Sequence, residues 1–179
     1  MRRKKSFKSK IKKNRYNLLL ILLGLILLVF SLNFIGKKLS DLSFSEYDNE
    51  ILVIKDSTNK QDSFSIKELR KRGTTTSKVT LNQGLENLEL TGVPLEKLLS
   101  DLGYELNNSP SLSIEDSRGN TKSYPMSIAL EVDRVLLTYK INGKVNDEYD
   151  PSLGTITLID TQSDSKSSWI KDVKIISID

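Results

Sequence analysis

Residues 92–99 read Gly92-Val93-Pro94-Leu95-Glu96-Lys97-Leu98-Leu99. Pro94 has the fixed φ that suits a first helical position, and it lacks the N–H that would go unpaired there. Leu95, Leu98, Leu99 and Leu102 then recur at helical spacing as one apolar stripe, which Gly103 ends. The spacing predicts a short amphipathic helix entered from an extended segment carrying Leu85, Leu88 and Leu90. Upstream, Thr74 to Asn82 alternates, with Val79 and Leu81 on one face, and reads as a strand. Before it, Ser65-Ile66-Lys67-Glu68 has the form of a capping box, opening a short helix through Arg72 that Gly73 closes. Ile51 to Lys55 is a buried-type strand followed by a polar loop, Asp56 to Asp62.

Downstream the pattern is richer in strands. Ser111 to Asp116 and Asn120 to Met126 flank a turn at Ser117-Arg118-Gly119-Asn120, and Ser127 to Val132 reads as one or two helical turns. Arg134 to Ile141 is a strand that turns at Asn142-Gly143, a favoured two-residue hairpin signal. Thr155 to Asp160 follows the Asp150-Pro151-Ser152-Leu153-Gly154 turn. The loop Thr161 to Ser168 then leads through Trp169 to a last strand, Val173 to Ile178. The sum is an α+β domain of mostly antiparallel sheet, with seven or eight short strands and two or three short helices.

Ahead of this domain the chain changes character. No charge occurs from Tyr16 to Gly36, and 15 of the 19 residues from Leu18 to Gly36 are Leu, Ile, Val or Phe. As a helix, that stretch spans about 28 Å, close to the hydrocarbon thickness of a bilayer. Insertion gains about −5 to −9 kcal/mol before Asn33 and the ends are discounted. Nine basic residues, from Arg2 to Arg15, precede it, whereas Lys37 and Lys38 alone follow closely. The positive-inside rule therefore places the N-terminus in the cytoplasm and the rest outside. The apolar region exceeds that of a signal peptide, and Asn33-Phe34-Ile35-Gly36 offers no small-x-small cleavage site. The expected organisation is a basic tail (1–17), an uncleaved transmembrane helix (18–36), a spacer (37–50) and an extracytoplasmic domain (51–179).

The formal charge of +4 sums two unlike parts. Residues 39–179 hold 16 basic and 23 acidic side chains, a net of −7. The tail suits an anionic inner leaflet, and the acidic outer part argues against nucleic acid as a partner. The chain has neither cysteine nor histidine. That removes disulfides, thiolate nucleophiles, the commonest zinc ligands and any Ser-His-Asp triad.

Taken in order, these motifs resemble the oxidoreductase molybdopterin-binding domain, the sulfite-oxidase fold. Gly92 to Leu99 is similar to that family's G-V-P-L-x-x-L-L segment, and Phe64 to Leu69 with Val79-Thr80-Leu81 to its entry. Ser113 to Asn120 resembles its acidic hairpin, and Tyr124-Pro125-Met126-Ser127-Ile128-Ala129-Leu130 its helix start. Val135 to Gly143 is similar to its V-L-L-A-Y-x-M-N-G strand and turn, and Ser168 to Val173 to its closing W-(V/I)-K. The resemblance covers residues 51–178. In catalytic members a cysteine thiolate binds molybdenum in a T-L-x-C-x-x-N segment. Here that segment reads Thr80-Leu81-Asn82-Gln83-Gly84-Leu85-Glu86-Asn87, and an amide does not replace a soft thiolate. The G-x-P-x-R approach is reduced to Gly154-Thr155-Ile156-Thr157-Leu158. The resemblance therefore implies the fold, with no catalytic, cofactor-binding or metal-binding residue carried over.

Two function classes follow. One is a membrane-anchored, non-catalytic module that binds an extracellular protein or envelope partner, without a cofactor. The other is a molybdopterin-dependent oxidoreductase component with atypical ligation. A bitopic envelope-assembly protein fits less well, because residues 39–60 carry no heptads. Tyr124, Tyr139, Tyr149 and Trp169 read as core or edge aromatics before they read as a cleft. Asp147, Glu148 and Asp150 read as an acidic loop rather than a calcium site, for want of EF-hand spacing. Lys67, Arg70, Lys71 and Arg72 read as a solvated helix face, and Arg118 as an ordinary turn residue.

Overall fold

The computed structural model describes residues 19–31, 44–58, 60–104, 106 and 109–178. The chain forms two compact units, Met1–Phe44 and Ser45–Asp179. In the first, residues 19–31 form helix α1, whose apolar side chains are exposed along its described length. Among the described residues no helix is long and apolar enough to cross a membrane. The expected span 18–36 runs past the described residues at both ends, and the basic tail lies outside them.

Among the described residues the second unit holds ten strands and four short α-helices. In chain order these are β1 (Ile51–Asp56), β2 (Gln61–Ser65), α2 (Ile66–Lys71), β3 (Thr75–Leu81), β4 (Glu86–Pro94), α3 (Leu95–Asp101), β5 (Ser111–Asp116) and β6 (Thr121–Pro125). There follow α4 (Met126–Ala129), β7 (Val135–Ile141), β8 (Lys144–Val145), α5 (Asn146–Tyr149), β9 (Thr157–Asp160) and β10 (Val173–Ile178). One sheet has the order β2-β1-β10-β5-β6, and the other runs β3-β4-β7-β8 with β9 also on β7. Every pairing is antiparallel except β1 with β10.

Burial follows the sequence pattern. In β1 and β5 alternate residues point inward, so Leu52, Ile54, Leu112 and Ile114 are fully buried. β7 is buried along nearly its whole length, and β4 pairs along one of its edges and β8 and β9 along the other. The core of the second sheet joins Val79, Leu81, Leu88, Leu90, Leu136, Ile141, Leu153, Ile159 and Trp169. Gly92 sits where the β4–β7 register shifts, and an added Cβ would lie 2.6 Å from the Leu137 carbonyl oxygen. A side chain there would force the two strands apart.

The capping box is complete: Ser65 Oγ accepts from Glu68 N at 3.3 Å, and the Glu68 carboxylate accepts from Ser65 N at 2.9 Å. The stripe Leu95, Leu98 and Leu99 is buried on α3. Four details differ from the sequence reading. Pro94 ends β4 instead of starting the helix, since it is extended (φ −59°, ψ 128°) and paired with Leu136. Leu85 leaves the strand and stands 88% exposed at the β3–β4 tip. β2, expected partly as loop, is a strand because β1 offers it an edge, although Phe64 alone is buried among its residues. β8 and α5 were not expected, for a two-residue strand and a one-turn helix carry too few residues to show a period.

Candidate functional site

The resemblance points first to the β3–β4 tip. Asn82 (φ 53°), Gln83 (φ 56°) and Gly84 (φ 95°) are three successive left-handed residues. Asp164, from the loop after β9, fixes them: its carbonyl accepts from Asn82 N at 2.9 Å and its carboxylate from Gln83 N at 3.0 Å. Both amide side chains are on exposed residues, and Asn82 Nδ2 reaches only Glu86 Oε2, at 3.5 Å. Beneath the tip, Lys166 Nζ lies 2.5 Å from Glu86 Oε1 and 3.4 Å from the Tyr149 hydroxyl. The same ammonium stands 5.6 Å from the Tyr149 ring centroid and 6.0 Å from that of Trp169. Burial pushes the Lys166 pKa down, but the bonds to Glu86 and Tyr149 outweigh it and the net shift is upward. These donors do not fit molybdenum: amides, one carboxylate already paired with an ammonium, and no thiolate in the chain. Among the described residues no group of acidic side chains is placed to hold a metal.

The second region is a cleft of about 230 Å³ lined by Asp116, Arg118, Asn120, Thr121, Lys122, Trp169, Ile170 and Lys171. Its outer wall is the β5–β6 turn. Asp116 Oδ1 accepts from Arg118 N (2.8 Å) and Asn120 N (2.9 Å), and Oδ2 accepts from Asn120 Nδ2 (2.8 Å). The Asn120 side chain first, and then the turn's backbone N–H groups, hold the Asp116 carboxyl below the usual carboxylate range. The inner wall is the segment Trp169–Lys171, with Trp169 and Ile170 buried. Trp169 Nε1 is buried without a hydrogen-bond partner.

Asp172 ties these walls together. It is left-handed (φ 49°), its N–H donates to Leu153 O at 2.7 Å, and its carbonyl accepts from Ser117 N at 3.1 Å. Its carboxylate accepts from Ser117 Oγ and lies 3.4 Å from Lys174 Nζ. Lys171 Nζ donates to Ser152 Oγ at 2.9 Å, joining the Pro151–Leu153 turn to the same edge.

The remaining residues singled out in the sequence scatter. Tyr149 and Trp169 meet at Lys166, but the Tyr139 hydroxyl is 2.7 Å from Thr74 Oγ1. Tyr124 sits beside Asp160, its hydroxyl pushed up to about 12 by burial and then by that carboxylate. Asp147 accepts from the Tyr47 hydroxyl at 3.1 Å, and Asp150 caps the next turn by accepting from Ser152 N at 2.9 Å. Arg70 pairs with Asp48 at 3.2 Å, and Arg72 lies 4.4 Å over the Phe64 ring, while Lys67 and Lys71 are exposed. Thr155, Ile156 and Thr157 are buried, and Thr157 Oγ1 donates to Leu153 O at 2.9 Å. Of the cleft cations the sequence reading takes Arg118 as a turn residue and Lys171 as part of the closing W-(V/I)-K, and neither as a site. The Asp-x-Arg-Gly-Asn turn was visible, but Lys122 on β6 and Lys171 in the segment before β10 meet only in the fold.

No family model matches the chain, and no curated protein does. Among solved structures the chain is similar to the sulfane dehydrogenase SoxCD from Paracoccus pantotrophus, with a TM-score of 0.59 and 22% identity. The match covers 74% of this chain and 38% of that one, so the chain spans little more than a third of that protein's length. The domain has a sulfite-oxidase-like fold. At this identity the likeness is one of fold.

Proposed function

We propose that the chain is a membrane-anchored extracytoplasmic binding module that keeps a sulfite-oxidase-like fold and does no metal chemistry. The supporting observation is the β3–β4 tip. Where a thiolate would be needed, the backbone is bonded to Asp164, and the Glu86 carboxylate below it is engaged by Lys166. A site that retained molybdenum as in the catalytic members would need a thiolate there, and the chain has no cysteine. The anchor rests on the uncharged stretch Leu18–Gly36 and the basic residues before it.

The test is cofactor content. The full chain is purified in detergent from a host that makes molybdopterin, then assayed for molybdenum by mass spectrometry and for oxidised-pterin fluorescence. Background levels of both are expected in a folded sample. Stoichiometric metal or pterin overturns the reading in favour of an oxidoreductase component.

A further inference from the structure

We propose that the cleft between the β5–β6 turn and Trp169–Lys171 recognises a phosphate group, either free or carried as a monoester on a small molecule. The inference rests on the binding-module reading and gives it a ligand chemistry.

Charge is the first argument. Arg118, Lys122 and Lys171 against Asp116 leave the lining with a net charge of +2, although residues 39–179 carry −7. Elsewhere in the domain Arg70, Arg134, Lys166 and Lys174 are part-buried and have carboxylate partners, whereas Arg118 and Lys122 are exposed and Lys171 is part-buried. Among the described residues Arg118, Lys122 and Lys171 form no ion pair. Asp116 is held by its own turn and also feels the Arg118 charge, so it offsets one of the three. A lining of net charge +2 on an acidic domain is a local attraction for an anion.

Preorganisation is the second argument. Asp172 bonds to Ser117 on one wall and to Leu153 behind the other, and Lys171 is braced on Ser152. The walls are therefore set before any ligand arrives, which lowers the ordering cost of binding. The third argument concerns the anion. A phosphomonoester carries about −1.5 to −2 charges at pH 7, which matches the lining. A guanidinium takes two of its oxygens in a fork, while ammonium groups serve as point charges. A single carboxylate would leave one cation uncompensated. Trp169 and Ile170 supply an apolar floor beside the part-buried Lys171.

Trp169 is the chain's only tryptophan and lines the cleft, so its emission responds to events there, and the R118Q/K122Q variant separates them from events at the Lys166 side of the ring. The full chain in neutral detergent is titrated with inorganic phosphate at constant ionic strength. Chloride serves as the control anion, and both Trp169 emission and heat are read. A saturable response to phosphate and none to chloride is expected. The R118Q/K122Q variant should bind about tenfold more weakly or worse, and a K78Q/K144Q control, exposed and outside the cleft, should match the wild type. Phenyl phosphate binding more tightly than phosphate identifies an organic monoester, and equal affinity identifies free phosphate. Dimethyl phosphate binding as well as phosphate overturns the proposal, because a diester then suffices. It is also overturned if neither signal responds, if chloride gives the same response, or if R118Q/K122Q binds unchanged. Molybdenum and pterin are measured on the same preparation. A clean cofactor result with no phosphate binding removes this inference alone, whereas pterin that disappears in R118Q/K122Q removes both.

Discussion

Gly154 and Asp172 fit together only because the first has no side chain. Gly154 is at φ 63°, ψ −167°, and an added Cβ would collide with the Asp172 carboxylate. That backbone region belongs essentially to glycine. Gly154→Ala should cost about 2–3 kcal/mol, read as a lower urea midpoint with unchanged slope. A midpoint within error of wild type would mean that the Asp172 bracket yields readily.

Asp160 gives a pH prediction. Arg134 binds its carboxylate twice, Nε at 3.0 Å and Nη2 at 2.9 Å. Burial pushes the Asp160 pKa up, but the Arg134 bonds and the Gln162 N–H bring it below the ordinary value. A depressed folded pKa contributes stability above the unfolded value of about 3.9, lost as pH falls through the folded one. Asp160→Asn should lose about 2–3 kcal/mol at pH 7. Its deficit should shrink as the pH is lowered below about 4. A deficit constant from neutral to acid pH would remove the ion pair as its cause.

The tip of β3–β4 offers a local test. Asp164→Ala keeps the bond from Asn82 N to the Asp164 carbonyl but removes the carboxylate that accepts from Gln83 N. Faster hydrogen exchange at Gln83 than at Asn82 is expected, with about 1 kcal/mol lost overall. Equal acceleration at both amides would show that the loop moves as one piece.

Ser65→Ala removes the acceptor for Glu68 N at the start of α2. It should lower stability by about 1 kcal/mol. Asp in its place should restore most of that, and thermal melts of the three proteins decide the point.

The proposed anchor predicts that protease added to intact cells removes a C-terminal epitope. Protection of the epitope until the cells are lysed would reverse the topology.

Features whose partners lie close in sequence were legible. Ser65 and Glu68, the Leu95–Leu98–Leu99 stripe, the Asp116 turn and Asn142-Gly143 each need only a few residues to declare themselves. Features made by distant pairs were not. Ser117 meets Asp172 across 55 positions, and Glu86 meets Lys166 across 80. Nothing at either member signals the other, since an isolated Ser or Lys is compatible with any surface. For the same reason β2 was partly read as loop: its ladder is dictated by β1, and its own side chains are mostly polar. Each wall of the cleft is a run of consecutive residues and was legible by itself, but their meeting was not, because it is made by the Ser117–Asp172 contact.

β10 lies between β1 and β5, in the middle of its sheet. The order in which the chain emerges then matters. All the strands of the second sheet precede Thr161, so that sheet can assemble while the chain is still being made. The first sheet cannot, because β1 and β5 wait with open inner edges until Val173–Ile178 arrives. During that interval the half-made domain exposes two adhesive strands to whatever is nearby. Its vulnerability to misassembly during biogenesis therefore belongs to β1 and β5, and the arrival of β10 ends it.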